Sequence, residues 1–150
     1  MVQTVQYDAL GNITNKSDVG AYIYSKVKAG AHAVTSAGTN TYEYDANGNM
    51  TFDRVSGLAK RTMTYTAADQ VATIVQNNQS EAFYYGTDRS RYKRVDSNPG
   101  GDTTTLYVGS VEKIKARGNT GVLKWKEWKR SIAGVGQITL RLQFVDVPWL

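Results

Sequence analysis

Seven aromatic residues punctuate this 150-residue chain almost evenly: Tyr7, Tyr24, Tyr44, Tyr65, Tyr85, Tyr107 and Trp128 follow one another at intervals of 17, 20, 21, 20, 22 and 21. A period near 20 is the mark of repeated supersecondary units, each too small to bury its own apolar face. Two copies agree almost letter for letter, Tyr7-Asp8-Ala9-Leu10-Gly11-Asn12-Ile13-Thr14 and Tyr44-Asp45-Ala46-Asn47-Gly48-Asn49-Met50-Thr51. Looser copies start at Tyr65 and Tyr85, and by Tyr107 only the ring and a following glycine, Gly109, survive.

Each copy reads as strand, tight turn, strand. In Thr41-Tyr42-Glu43-Tyr44 the side chains alternate, Asp45 to Asn49 reverses the chain, and Met50-Thr51-Phe52 resumes an extended run. Asn47-Gly48 suits the positive φ values of a hairpin turn, whereas Leu10 before Gly11 implies a single such position in that copy. The recurring Asp is expected to accept hydrogen bonds from its own turn amides, and the Tyr to stack on the neighbouring unit. Tyr7, Asp8, Gly11, Tyr44, Asp45, Gly48, Tyr65, Tyr85, Tyr107 and Trp128 are therefore the expected structural residues of the repeat.

Composition supports sheet. Thr (16), Val (15) and Tyr (10) are abundant while Leu (7) is scarce, a balance that fits pleated surfaces better than helical cores. Leu, Ile, Val and Phe make up only 31 residues, so the core is thin and Tyr must supply much of the apolar area. Residues 20–28 and 103–108 read as strands, as does the run in which Ile138, Leu140, Leu142 and Phe144 alternate with polar residues, a half-buried pattern. The small, polar residues 30–40 read as a connecting loop. Residues 76–80 and 97–102 are turn clusters, and Asn98-Pro99-Gly100-Gly101 is the strongest breaker. The expected fold is all-β: antiparallel hairpin repeats forming an open curved strip whose two free edges favour self-association.

Little in the chain supports catalysis. There is no cysteine, so thiol nucleophiles, disulfides and Cys-based zinc sites are excluded. The single histidine, His32, lies among small residues near Ser25, Thr35 and Ser36 without a third partner, which predicts a structural role. Asp8, Asp45, Asp69 and Asp88 recur one per unit, as turn duty demands. Asp45, Asn47 and Asn49 imitate the start of a calcium loop, but Gly48 stands at position 4 rather than 6 and Ser56 occupies the place of the bidentate Glu. No enzyme activity, metal or cofactor is expected.

The formal charge of +5 is localised. Residues 1–80 balance, whereas residues 81–130 carry eleven cationic and six acidic side chains. Arg89, Arg91, Lys93 and Arg94 surround Tyr92, and Lys124, Lys126, Lys129 and Arg130 accompany Trp125 and Trp128. These eight cations are candidate contacts for an anionic ligand, a glycan or an acidic cargo, and less readily nucleic acid. Strand alternation with one packed and one wet face explains them more simply. No apolar run is long enough for a membrane helix, and Met1 to Gln6 has neither the basic region nor the apolar stretch of a signal peptide, so the expectation is a soluble chain without an address.

The Tyr-Asp-x-x-Gly-Asn-x-Thr copies at Tyr7 and Tyr44 resemble the tyrosine-aspartate repeats of RHS proteins. So do the ordered later segments Arg91-Tyr92-Lys93-Arg94-Val95, Thr105-Leu106-Tyr107-Val108-Gly109 with Glu112-Lys113, and Trp128-Lys129-Arg130-Ser131-Ile132-Ala133-Gly134. The resemblance covers roughly residues 1–143, with 144–150 a divergent tail. It implies a noncatalytic segment of a hairpin shell that, in complete bacterial relatives, encloses a C-terminal toxin or effector for delivery. Its partners would then be adjoining repeats and the enclosed polypeptide, its location secreted or cell-surface, and this chain a fragment beginning mid-repeat. No positions match the family's self-cleavage site or a toxin domain. The alternative is a cell-surface carbohydrate-binding or adhesion module whose exposed rings stack on sugars.

Overall fold

The computed structural model describes residues 2–25, 29–55, 58, 60–133 and 136–144. It is all-β and antiparallel, with no helix among the described residues. Two compact units divide the chain, Met1–Asn77 and Asn78–Leu150.

The first unit holds eight strands: β1 (Val5–Tyr7), β2 (Ile13–Lys16), β3 (Gly20–Tyr24), β4 (Val34–Ala37), β5 (Asn40–Tyr44), β6 (Met50–Arg54), β7 (Arg61–Tyr65) and β8 (Val71–Gln76). Each pairs with its sequence neighbour, and the sheet does not close. Residues 30–40 are not only a loop, because Val34–Ala37 forms β4, which pairs with both β3 and β5. Val34 and Thr35 are β-branched, and pairing on both sides overrides the polar, small-residue composition around them. Period-two alternation is clearest in β3, β5 and β7, where Tyr22, Tyr24, Tyr42, Tyr44, Met63 and Tyr65 are half-buried and the intervening residues exposed.

The second unit holds β9 (Gln79–Tyr85), β10 (Arg91–Asn98), β11 (Gly101–Val108), β12 (Val111–Gly118), β13 (Leu123–Ile132) and β14 (Gly136–Gln143), again in sequence order. The turn after β10 is the two residues Pro99 and Gly100, since Asn98 already pairs with Gly101. Among the described residues strand β14 pairs only with β13, and it is exposed along its whole length, contrary to the half-buried pattern expected there. Ile138 is 61% exposed and Leu140 60%. An edge strand of a single sheet layer has nothing packed over its apolar row.

The core is as thin as the composition implied. Among the described residues the buried apolar side chains are Ala37, Ile114 and Ala116, and Asn12, Asp53, Thr105 and Glu127 are buried polar ones. Residues 145–150 of the tail, Ser56 of the calcium comparison and Lys26 to Lys28 of the 20–28 strand lie outside the described residues.

Candidate functional site

One turn geometry recurs at the tyrosine end of the hairpins. The amide of Asp8 donates to the Asn12 carbonyl at 2.9 Å, and Gly11 donates to the Asp8 carbonyl at 3.1 Å. The same two bonds recur at Asp45–Asn49 and Gly48–Asp45, at Thr66–Gln70 and Asp69–Thr66, and at Gly86–Ser90 and Arg89–Gly86. The fourth residue of each turn has positive φ: Gly11 at 82°, Gly48 at 89°, Asp69 at 57° and Arg89 at 64°. Each of these turns is followed by a bulge, with register shifts at Tyr7, Tyr44, Tyr65 and between Arg91 and Lys93. Turn and bulge together make the four-residue loop with one left-handed residue. Asn47 is not left-handed, so the Asn47-Gly48 copy uses one positive-φ position, as the Gly11 copy does.

The first side chain of the turn caps it. Asp8 Oδ1 accepts from the amides of Leu10 and Asn12, and Asp45 Oδ1 from those of Asn47 and Asn49. Thr66 does the same with its hydroxyl oxygen, accepting from Ala68 and Gln70. Gly86 has no side chain, and Asp88 Oδ1 accepts from the Ser90 amide instead. The side-chain and backbone hydrogen bonds from Asn12 hold the Asp8 carboxyl below its ordinary pKa. At Asp45 desolvation acts upward, but bonds from Asn49, Asn47 and Gly48 outweigh it and the net shift is downward. Ser90 lowers Asp88 through its amide and its side chain.

The repeat tyrosines act through their hydroxyls. Tyr24 donates to the Ile13 carbonyl at 3.0 Å, Tyr44 to Val34 at 2.9 Å and Tyr65 to Met50 at 2.8 Å. Each acceptor is the first residue of the strand that follows a turn. Tyr24 and Tyr65 thus reach back to the preceding hairpin, and Tyr44 to the β4 arm of the preceding β3–β4 hairpin. Tyr7, with no described hairpin before it, is 62% exposed. Turns also touch turns: Asn47 and Asn49 Nδ2 both donate to Asp69 Oδ1, at 2.9 and 2.8 Å. Asn12 Nδ2 donates to Asp8 Oδ2 and the Ala31 carbonyl, which leaves its Oδ1 as acceptor and makes His32 Nδ1, 2.6 Å away, the donor. His32 thus joins two successive loops.

Tyr107 and Trp128 do not continue this series. Tyr107 is one residue short of the end of β11 and Trp128 lies inside β13. Register puts them on opposite faces. One face carries the rows Tyr84–Lys93–Leu106–Lys113–Trp128–Leu140 and Ala82–Val95–Thr104–Lys115–Lys126–Leu142, with Arg130 between Val111 and Ile138. The other carries Phe83–Arg94–Thr105–Ile114–Glu127–Arg141 and Tyr107–Glu112–Lys129–Thr139.

The eight cations singled out in the sequence therefore do not form one site. Arg94 pairs with Asp96 at 3.0 Å and Lys129 with Glu127 at 3.2 Å, and the Arg91 guanidinium lies over the rings of Phe83 and Tyr107 at 5.5 and 4.9 Å. These belong to the mixed-charge face. Arg89 is the left-handed residue of its turn, and Lys124 Nζ reaches the Gly100 carbonyl at 3.5 Å. Lys93, Lys126 and Arg130 share the first face with Lys113 and Lys115, which the sequence reading passed over because they stand in β12 away from both clusters.

A cavity of about 580 Å³ in the first unit is lined by Asp8, Asn12, Tyr22 and Tyr24 among others. Among its described lining residues the one carboxylate, Asp8, is committed to the turn amides. Among the described residues no three His, Asp or Glu side chains converge as metal ligands, and no helix is long and apolar enough to cross a membrane. No protein-family model matches the chain, and no curated protein does.

Proposed function

We propose that this chain is a noncatalytic wall segment of hairpin repeats, of the kind that in complete RHS proteins encloses a toxin or effector polypeptide for delivery. The observation that carries the reading is the lacing of successive hairpins by Tyr24, Tyr44 and Tyr65, each donating its hydroxyl to a backbone carbonyl of the hairpin before it. A repeat that uses its most regular side chain to fasten itself to its predecessor builds a continuous surface, and sequence-order pairing extends it one hairpin at a time. The recurring carboxylates also favour a wall over an active site. Asp8, Asp45 and Asp88 are bonded to turn amides and held ionised, the opposite of what a general acid needs.

The test is substitution into a complete shell. Residues 1–143 replace the corresponding hairpins of an intact RHS protein, and protease resistance of the enclosed effector is followed. Retained protection is expected, together with its loss in the Tyr24→Ala/Tyr44→Ala/Tyr65→Ala variant. An effector digested as fast as the free polypeptide, in a shell that still assembles, would overturn the reading.

A further inference from the structure

The two faces of the second unit differ sharply in charge. On the face of Phe83, Thr105 and Ile114, cations meet carboxylates: Arg94 with Asp96, Lys129 with Glu127, and Arg141 4.0 Å from Glu127. The opposite face gathers Lys93, Lys113, Lys115, Lys126 and Arg130, and none of the five makes an ion pair with a described residue. The carboxylate that register assigns to this face is Asp102, directly opposite Arg117. Lys115 stands directly across from Lys126, with Lys113 two residues along the same strand. Like charges facing each other across an antiparallel pair destabilise it. A sheet that carries such a pair, while neutralising its other face, breaks a local rule that folding alone would keep.

Aromatic rings stand beside these cations. Lys93 Nζ lies 3.9 Å from the Tyr84 ring centroid, Lys113 Nζ 5.9 Å from Trp128 and Lys126 Nζ 5.4 Å from Phe144. Tyr84, Tyr92 and Phe144 are each more than a third exposed, and Tyr84 and Tyr92 contact each other at 6.4 Å. Ammonium groups and flat rings thus stand side by side at three places on a face six strands wide, roughly 24 Å at the usual strand spacing.

We propose that this face binds single-stranded nucleic acid, with Lys113, Lys115, Lys126 and Arg130 on the phosphates and the exposed rings of Tyr84, Tyr92 and Phe144 offering stacking surfaces to bases. A sugar–phosphate strand carries negative charge beside flat apolar rings, which complements a face that sets ammonium groups beside aromatic rings. An open sheet surface accommodates an unpaired strand with splayed bases, whereas a duplex hides its rings. Lysines serve as point charges for phosphate, and bound phosphates relieve the Lys115–Lys126 repulsion. The site does not depend on the wall reading and stands if that reading falls.

The experiment is fluorescence anisotropy of a labelled 15-nucleotide oligo(dT) with the full chain, repeated over a salt series. Saturable binding is expected, weakening with salt along a log–log slope of about −2 to −3 if three or four phosphates are neutralised. Lys115→Gln and Lys126→Gln should each weaken binding about fivefold and flatten the slope by about 0.7. Each should also raise the denaturation midpoint, because the opposed like charges are gone. Lys129→Gln, the same charge loss on the other face, should leave affinity within about twofold. Absence of binding would overturn the proposal, as would equal losses in Lys129→Gln. Binding of a heparin oligosaccharide or polyglutamate that oligo(dT) fails to displace would overturn it too, assigning the face to an acidic glycan or an acidic polypeptide.

Discussion

Tyr65 donates its hydroxyl to the main-chain carbonyl of Met50 at 2.8 Å, joining the last residue of β7 to the first residue of β6. The ring is half-buried, and its hydroxyl is pushed above the ordinary tyrosine pKa by desolvation first and by the nearby Asp45 charge second. Removing only the oxygen should therefore isolate the lacing. Tyr65→Phe is expected to cost about 1 kcal/mol, the net value of one hydrogen bond. Tyr65→Ala should cost about 2 kcal/mol more for the half-buried ring. Urea denaturation of both variants checks this, and a Phe variant as stable as the parent would leave the hydroxyl without a lacing role.

The equivalence of Thr66 with Asp8 and Asp45 makes a sharper prediction about turn chemistry. Because the Thr66 hydroxyl accepts from Ala68 and Gln70 as the carboxylates do in their own turns, Asp45→Thr should keep most of the stability that Asp45→Ala loses. The order of denaturation midpoints, parent then Thr then Ala, is the readout. An Ala variant equal to the Thr variant would show that the amide bonds are not what the first turn side chain supplies.

Acid should reveal the same carboxylates. In the folded chain Asp8, Asp45 and Asp88 titrate below the ordinary value of 3.8, so as pH falls the unfolded chain takes up protons first. Their contribution is complete above that value and drains away as pH drops through the lowered folded values. Urea titrations at pH 5 and pH 3 should show a smaller loss for Asp8→Asn/Asp45→Asn than for the parent chain. An acid limb of unchanged steepness would refute the assignment.

Asp53 is buried to 6% exposure and receives both Nε and a terminal nitrogen of Arg61, its partner across β6 and β7. Arg61→Ala removes both donors and strands a carboxylate. Since the Arg61 side chain is 42% exposed, water reaches part of the gap, and the expected cost is about 1 to 3 kcal/mol. Arg61→Lys should recover only part of this, because an ammonium group cannot reproduce the two-pronged contact. Thermal denaturation of the two variants decides the point.

Strand β14 offers a long exposed edge, with Ile138, Leu140 and Leu142 on one face and, among the described residues, pairing on one side only. The chain should self-associate with rising concentration in light scattering, and Leu140→Lys should suppress it, since a charge on an edge discourages further strand addition. A monodisperse monomer across the concentration range would contradict the prediction.

Local signals carried much of the hairpin architecture. The Tyr-Asp copies, Gly11 and Gly48 lie within a few residues of the amides and dihedrals they control, so strand, turn and strand could be read directly. Strand β4 was missed because Val34–Ala37 is short, surrounded by small residues, and held by neighbours on both sides. The tyrosine hydroxyls were missed because the spacing announces a ring, not the carbonyl it reaches; stacking was the natural expectation, and donation to the preceding hairpin is what the geometry provides.

The sequence by itself determined that the chain is sheet, that its units repeat near every 20 residues and that its excess charge lies in residues 81–130, because composition, turn chemistry and charge counts are properties of short stretches. Only the tertiary structure decided which charges share a surface. Arg91 and Lys93 are two apart and by simple alternation belong together, yet the register shift between them puts Arg91 with Phe83 and Tyr107 and Lys93 with Tyr84 on the other side. One extra residue in a strand reverses the side on which everything beyond it falls, and where that residue sits is fixed by pairing with Tyr85 and Tyr84 across the hairpin, which the alternation within residues 91–98 does not show.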